Sequence, residues 1–334
     1  MKSNIAKVHV SCCLCGATEY KVIARGREHE YTNTTDDLFL VVKCARCGLF
    51  FLNPRPALTE LSTIYPNEYP AFVEEEAPAG ESLLSKLSQS FIDRLGYPSR
   101  VRAALQHVPP DSGPLRILDV GCGAGRVLTL FKQYHPGTLE TVGLDADENA
   151  TALTRSKGHA VIHGMFDEID ICPASFDCVY SSHVIEHVAD PKVFLKKVKS
   201  VLKPGGLFFC ETPNIGSVDS LLLSRLGIWG GFHFPRHWTF FTPKTLRELA
   251  KSAGLDAVET KYYMIPIFWI WSLHLLTVRL LGRKIADRLF PPVEHNANRL
   301  QLFILTGMFT LLDLMIFSVT RRTACMFVIF RNAD

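Results

Sequence analysis

Residues 117–125 read ILDVGCGAG, an apolar run that ends in an acid and then breaks into three alternating glycines. The apolar character of Leu115 to Val120 predicts a buried strand, and the spacing within RVLTLFKQY at 126–134 predicts a helix packed on a sheet. The glycines therefore occupy a strand-to-helix turn. Gly121, Gly123 and Gly125 let the backbone take positive φ and approach a ligand closely, with the unpaired N–H groups of a helix N-terminus behind them. A dinucleotide fingerprint requires G-x-G-x-x-G, and Arg126 stands where its third glycine would fall. Asp119, two residues before the first glycine, suits a cationic ligand better than an anionic pyrophosphate.

The run from Asp119 to Gly125 resembles the first motif of class I S-adenosylmethionine-dependent methyltransferases. That resemblance implies an α/β fold, a Rossmann-like, doubly wound seven-stranded sheet whose last strand is antiparallel, and S-adenosylmethionine as cofactor. It sets the glycine turn against the amino acid end of the cofactor, with Asp119 helping to hold the amino group. TVGLD at 141–145 supplies an acid at the end of the next strand, and Asp145 is implied to accept both ribose hydroxyls. HGMFD at 163–167 matches the strand edge beside the adenine. There Met165 stands where many members have an Asp, so backbone N–H groups or apolar packing with Phe166 take over that contact. SFDCVYSSH at 175–183 is implied to run into the active-site loop, with Ser181 and His183 beside the cofactor, and LKPGG at 202–206 turns into a further strand. The four motifs, in this order, cover roughly residues 116–211.

At 334 residues, 47% of them hydrophobic, the chain can bury a full core, and its length suits two domains or one with additions. The formal net charge of +3, without a long basic run or an interleaved aromatic stripe, gives no nucleic-acid footprint. The first ten residues lack the apolar core and cleavage site of a signal peptide, so a cytoplasmic location is expected. Ten cysteines then call for an explanation other than a disulfide framework. Cys12 and Cys15, then Cys44 and Cys47, form two CxxC pairs able to place four thiolates around a closed, structural zinc; unmetallated hairpin turns are the alternative. Cys13 is a second donor beside Cys12, and Cys122, Cys172, Cys178, Cys210 and Cys325 read as packing among apolar residues.

The second pair, its continuation GLFFLNPRP at 48–56 and the tyrosines at 65 and 69 resemble a bacterial subgroup of these methyltransferases. That subgroup carries an N-terminal zinc module and includes sugar-modifying enzymes of polysaccharide and antibiotic pathways. The expected organisation is a zinc-ribbon-like module over 1–56 and a helical linker or lid over 57–110, with PAG at 78–80 and helices over 82–108. A methyltransferase core over 111–263, a hydrophobic helical hairpin over 264–321 and the last core strand over 322–334 complete it.

Transfer to a hydroxyl requires an aligned acceptor and a proton acceptor. Candidates cluster twice. HVIEH at 183–187 follows the strand that ends beside the cofactor; a related quinone O-methyltransferase group has metal-holding acids and a histidine here, but His183 takes one acidic position. HFPRHW at 233–238 precedes Thr242-Pro243, a helix start. In this second cluster a sugar would stack on Trp238 or Phe232, Arg236 would hold a phosphate or carboxylate, and His233 would lie alongside. His237 is the first choice of base and His187 the second. The competing reading is a packed, hydrogen-bonded loop.

Two apolar stretches, 264–281 and 300–319, are each long enough to span a bilayer. A spanning hairpin would export Arg283, Lys284, Arg288 and Arg299, against the positive-inside rule, so an in-plane position on the inner face of the membrane is favoured. Packing on the core or on a second subunit, a homodimer, is the alternative. The leading acceptor is then a small molecule, a hydroxyl of a sugar or of a lipid-linked glycan. The alternatives are a membrane-associated quinone or lipid O-methyltransferase and a non-catalytic cofactor-binding module.

Overall fold

The computed structural model describes residues 4–31, 33–65, 96–108, 114–291 and 299–333; the linker expected at 78–80 and the first part of the helices expected over 82–108 lie outside them. Strands β1 (Lys7–Val8), β2 (Tyr20–Gly26), β3 (Phe39–Cys44), β4 (Phe50–Leu52) and β5 (Arg55–Pro56) come first, then the short helix α1 (Leu61–Ile64). Helix α2 (Tyr97–Leu105) leads into β6 (Leu115–Val120), α3 (Arg126–Tyr134), β7 (Leu139–Asp145), α4 (Glu148–Ser156), β8 (Ala160–His163) and β9 (Phe176–Ser182). There follow α5 (Pro191–Val201), β10 (Leu202–Pro213), α6 (Val218–Leu223), β11 (Thr239–Phe240), α7 (Pro243–Ser252) and β12 (Leu255–Tyr263). Helices α8 (Ile267–Leu281), α9 (Arg283–Leu289) and α10 (Arg299–Thr320) precede the last strand, β13 (Cys325–Asn332).

Seven strands form one sheet in the order β12-β13-β10-β9-β6-β7-β8, and only β13 runs against its neighbours. This is the doubly wound fold the glycine motif implies. Alternate residues of β6 serve opposite layers: Leu118 and Val120 pack with Phe194 and Leu195 of α5, while Leu115 and Ile117 pack with Val101 of α2 and Phe131 of α3. Burial on both faces is why these strands read as continuous apolar runs. The helices start where capping chemistry allows: Asp147 accepts from the Ala150 N–H, Asp190 from Lys192 and Val193, and Thr242 with Thr245 closes a reciprocal capping pair. Strand order reverses between β6 and β9, so the carboxyl ends of these two strands frame the crevice where such sheets bind ligands.

The N-terminal strands form a second sheet, β11-β4-β3-β2, whose edge strand β11 comes from the far side of the core in sequence. Cys12, Val42, Cys44 and Phe51 join the same buried cluster as Val120, Leu144 and Phe208. The described part of the segment 1–56 is therefore packed onto the core.

At the other end, α8 has fifteen residues where eighteen apolar ones were expected to form a span. At ~1.5 Å per residue it measures about 23 Å, short of the ~30 Å hydrocarbon layer. Met264, Ile265 and Pro266 lead into it as non-helical chain. Its start is rooted in the core, Phe268 packing with Trp229 and Phe232. Among the described residues, α10 alone is long and apolar enough to cross a membrane, with 17% of its window buried over Leu300–Thr320. The two helices meet through the stacked rings of Trp269 and Phe309, and the Trp269 indole N–H donates to Asp313 at 2.8 Å.

Candidate active site

The turn between β6 and α3 has the conformation its glycines permit: Gly121, Gly123 and Gly125 lie at φ +75°, +50° and +74°. A Cβ on Gly121 would meet Val184 Cγ2 at 2.4 Å, which places the turn directly against the segment that follows β9. Asp145 ends β7 and accepts from the Gly123 N–H at 2.9 Å and the Asp147 N–H at 3.0 Å, so its carboxylate is fixed beside the turn. Asp119 is 2% exposed; burial, and then the neighbouring Asp145, push its carboxyl up to about 8. Across the crevice α2 lays Tyr97 against the Arg126 guanidinium, 5.5 Å from the ring centre. Met165 is largely exposed beyond β8, whereas Phe166 turns inward onto Phe194 with ring centres 5.3 Å apart. The position matching the family's adenine-side edge therefore exposes the Met165 side chain, and the Phe166 ring belongs to the core.

The carboxyl ends of β9 and β10 carry a second set of groups. Ser181 is buried, and its Oγ makes no hydrogen bond among the described residues. His183 holds a left-handed backbone at φ +54°, uncommon for a side-chain-bearing residue, and its N–H donates to the Glu211 carbonyl at 2.9 Å. Its Nδ1 lies 3.1 Å from Glu186 Oε1 and its Nε2 3.8 Å from Glu211 Oε1, with 31% of the side chain exposed. Burial alone would lower the basicity of His183, but the hydrogen bond and charge of Glu186, then the charge of Glu211, raise it above the ordinary histidine value. Glu186 answers in kind: burial would raise it, yet His183, then His187 and His237, bring it down to about 2. Its other oxygen accepts the Thr212 hydroxyl at 2.9 Å.

Glu211 was not singled out in the sequence, although an acid closing the strand LFFCETP is unusual enough to mark it. It is fully buried and accepts from the Arg100 guanidinium of α2, the Ser182 hydroxyl at 3.1 Å and the Cys325 thiol at 3.2 Å. The α2 segment is thus tied by charge to the sheet beside the crevice.

The HFPRHW segment follows the competing reading, a packed and hydrogen-bonded loop, and not the acceptor-site one. Arg236 is fully buried; its guanidinium meets Glu28 and Glu30 of the N-terminal module and donates through Nε to the Ile64 carbonyl at 2.8 Å. It therefore has no side to offer a phosphate or carboxylate of an acceptor. Trp238 and Phe232 are buried at 3% and 1%, the first with its N–H on the Pro235 carbonyl and its ring under Arg55, so neither presents a face for a sugar. His233 is held 3.3 Å from Glu30. His237 donates from Nδ1 to the Gly231 carbonyl at 2.8 Å, and its Nε2 is 4.0 Å from Glu186. Burial, and then the His187 charge, bring His237 down to about 3, so the first-choice base is poorly matched to taking a proton near neutral pH. His187, also lowered by burial, pairs through Nδ1 with the Tyr65 hydroxyl at 2.8 Å and stacks edge-on with His237 at 4.6 Å. Glu28, Glu30 and Tyr65 are the long-range partners that the sequence gives no local means of finding.

At the amino end, Cys12, Cys15, Cys44 and Cys47 bring four Sγ atoms within 4.8 Å of one another, with Cys12–Cys47 at 3.4 Å and Cys15–Cys44 at 3.5 Å. Tetrahedral zinc with Zn–S of ~2.3 Å needs sulfurs ~3.8 Å apart, which this spacing fits. The two turns repeat one pattern: Gly16 N–H to Cys12 O with Cys12 N–H to Ala17 O, then Gly48 N–H to Cys44 O with Cys44 N–H to Leu49 O.

Comparison with known proteins agrees with this architecture. A family model described as Methyltransferase domain matches residues 89–260. The ubiquinone biosynthesis O-methyltransferase of Cereibacter sphaeroides is 33% identical over 173 residues, covering 48% of this chain and 68% of that protein. The protein of the same name from Ruegeria pomeroyi is 35% identical over 178 residues, covering 48% and 67%. Among solved structures, an S-adenosylmethionine-dependent methyltransferase from Mesorhizobium loti aligns with TM-score 0.44 and 20% identity over 70% of this chain and 97% of that one. With the family model spanning half of the chain and the cofactor turn in place at the switch point of the sheet, the chain belongs to the class I S-adenosylmethionine-dependent methyltransferases.

Proposed function

We propose that this enzyme methylates a hydroxyl of a quinone-type, lipid-soluble acceptor, with His183 as the general base. The observation that carries the reading is the His183–Glu186 pair at the carboxyl end of β9, adjoining Val184, which packs on the cofactor turn. Bound there, S-adenosylmethionine supplies an already activated methyl group, so the protein's work is to hold, orient and deprotonate. Gly121, Gly123, Gly125, Asp119, Asp145 and Met165 hold the cofactor. Glu186 orients the His183 ring and stabilises the imidazolium that forms when His183 takes the acceptor's proton. A phenolic hydroxyl, with a pKa near 10, asks less of a histidine than a sugar hydroxyl does.

The names of the two bacterial relatives support a quinone acceptor, and the burial of Trp238, Phe232 and Arg236 removes the features that favoured a sugar or glycan. We also propose that the enzyme works from the cytoplasm at the inner membrane face, where a lipid-soluble acceptor would be reached. The test is transfer of labelled methyl from S-adenosylmethionine by the purified protein, offered a detergent-dispersed catechol-type quinol precursor or a panel of nucleotide sugars. Label in the quinol is expected; label in the sugars alone overturns the reading.

We further propose that the four cysteines hold one structural zinc. One equivalent per chain by elemental analysis, and a lower melting temperature after chelation, are expected. A protein that purifies metal-free at full stability sinks this part.

A further inference from the structure

We propose that the outer face of α10, with the adjoining ends of α6, α8 and α9, docks in the plane of an anionic phospholipid surface. The proposal rests on the lipid-soluble acceptor reading and extends it, and vesicle binding is measured without any acceptor, so the two fail separately.

Helix α10 is apolar on both sides. Its inward side is accounted for by Leu302, Leu305, Phe309 and Leu312, which pack against α8, and by Asp313, bonded to Trp269. The outward side is Ile304, Met308, Leu311, Met315 and Val319, between 49% and 84% exposed and spaced by three or four residues. A surface helix of a soluble protein carries charge on that side. Here Asp313 is the one charged residue between Leu300 and Thr320, and it is turned inward at 3% exposure. Leu221 and Leu222, each 61% exposed, continue the patch from α6, whose Leu223 packs into the same cluster.

Charge selects the occupant. Residues 264–322 contain seven Arg and Lys against three Asp and Glu. Exposed Lys284 and Arg288 lie at the end of α10 where Gln301 donates to the Arg288 carbonyl at 2.7 Å, and exposed Arg321 and Arg322 lie at the other. An apolar stripe with cations at both ends matches a helix lying flat, its side chains in the acyl boundary and its ends among anionic headgroups. Two copies meeting through this face would bring cationic ends together. The short, core-rooted α8 keeps the hairpin from spanning. Helix α8, which backs the inward side of α10, is itself anchored on the buried histidine cluster, Trp271 packing on His233 with ring centres 5.7 Å apart.

The test is flotation of the full chain with vesicles of phosphatidylcholine, alone or mixed with phosphatidylglycerol. Co-flotation with the mixed vesicles, weakened by salt, is expected. Met308→Glu with Met315→Glu should abolish it while the melting temperature holds. Should that pair misfold, Leu311→Gln with Met315→Gln replaces it. Lys284→Gln with Arg288→Gln should weaken binding about thirtyfold, at ~1 kcal/mol per cation. Failure to float with either vesicle overturns the proposal, and so does equal binding to both that salt and the charge variants leave unchanged. A dimer in sedimentation that the glutamate pair dissociates, without flotation, assigns the face to a second copy instead.

Discussion

The two ends of the catalytic crevice are built in opposite ways. The end proposed for the cofactor is a single loop and its immediate neighbours: Asp119, the glycines at 121, 123 and 125, and Asp145, whose carboxylate accepts from the Gly123 N–H. The end proposed for the acceptor gathers His183 and Glu186 after β9, Glu211 from β10, Arg100 from α2, the histidines at 233 and 237, Glu28 and Glu30 from the N-terminal module, and Tyr65 just after α1. One end depends on backbone conformation that particular residue types permit, the other on buried charges that are stable only when all their partners are present. Changes at the first should alter affinity and spare the fold; changes at the second should reach the fold as well.

The largest expected effect breaks the acceptor end outright. Arg236→Met leaves the Glu28 and Glu30 carboxylates, 0% and 5% exposed, without their cation. Removing one partner of a buried pair costs about 3–5 kcal/mol, so the urea midpoint should fall accordingly at unchanged slope. A loss under about 1 kcal/mol would mean that the module and the loop are held together by the β4–β11 pairing and apolar contacts instead.

His183 tests where the two ends meet. His183→Gln should lower turnover about a hundredfold or more while S-adenosylmethionine affinity holds. Loss of affinity in proportion to turnover would move His183 to the cofactor end, where its place at the close of β9 first put it. The pH profile adds a sign. The neutral ring is the active form, so turnover falls as pH drops through its raised value. Glu186→Gln removes the largest of the influences that raise it and should shift that acid limb to lower pH.

The contrast between the ends explains what the sequence made legible. The buried strand, the helix behind it and the glycine turn follow from patterns a few residues long: an apolar run, an acid, alternating glycines, a helical spacing. The seven-stranded sheet and its antiparallel last strand came only with the family resemblance that those patterns carry. The Cys12–Cys15 and Cys44–Cys47 knuckles were equally readable, because each repeats one local turn. HFPRHW carries the same residue types whether it faces a ligand or is enclosed. Its fate is decided by Glu28 and Glu30, about two hundred positions earlier, and no local pattern links them to Arg236. Hydropathy likewise marked 264–281 as apolar throughout but not that Phe268 and Trp271 would be spent against Trp229 and His233.

A smaller effect sharpens the cofactor end. Gly121→Ala places a side chain at φ +75°, a left-handed conformation costing ~1–2 kcal/mol, and aims it at Val184. Affinity for S-adenosylmethionine in calorimetry should fall about tenfold, and stability in urea by that ~1–2 kcal/mol of strain, short of the loss expected for the Arg236 variant. Unchanged affinity would show that the turn relaxes without cost.

The smallest effect is a protonation. Burial and Asp145 hold the Asp119 carboxyl at about 8, so at pH 7 it is mostly protonated. A cation arriving beside it favours the charged form and lowers that value, so binding must release a proton. Affinity should therefore rise with pH between the bound-state value and about 8, by at most ~10-fold per pH unit, and level off above it. Calorimetry at pH 7 in two buffers of different ionisation enthalpy counts the proton directly. Asp119→Asn should abolish both the release and the slope. If the unmodified enzyme releases no proton, Asp119 stays neutral when the cofactor binds, and the glycine backbone alone holds the amino acid end.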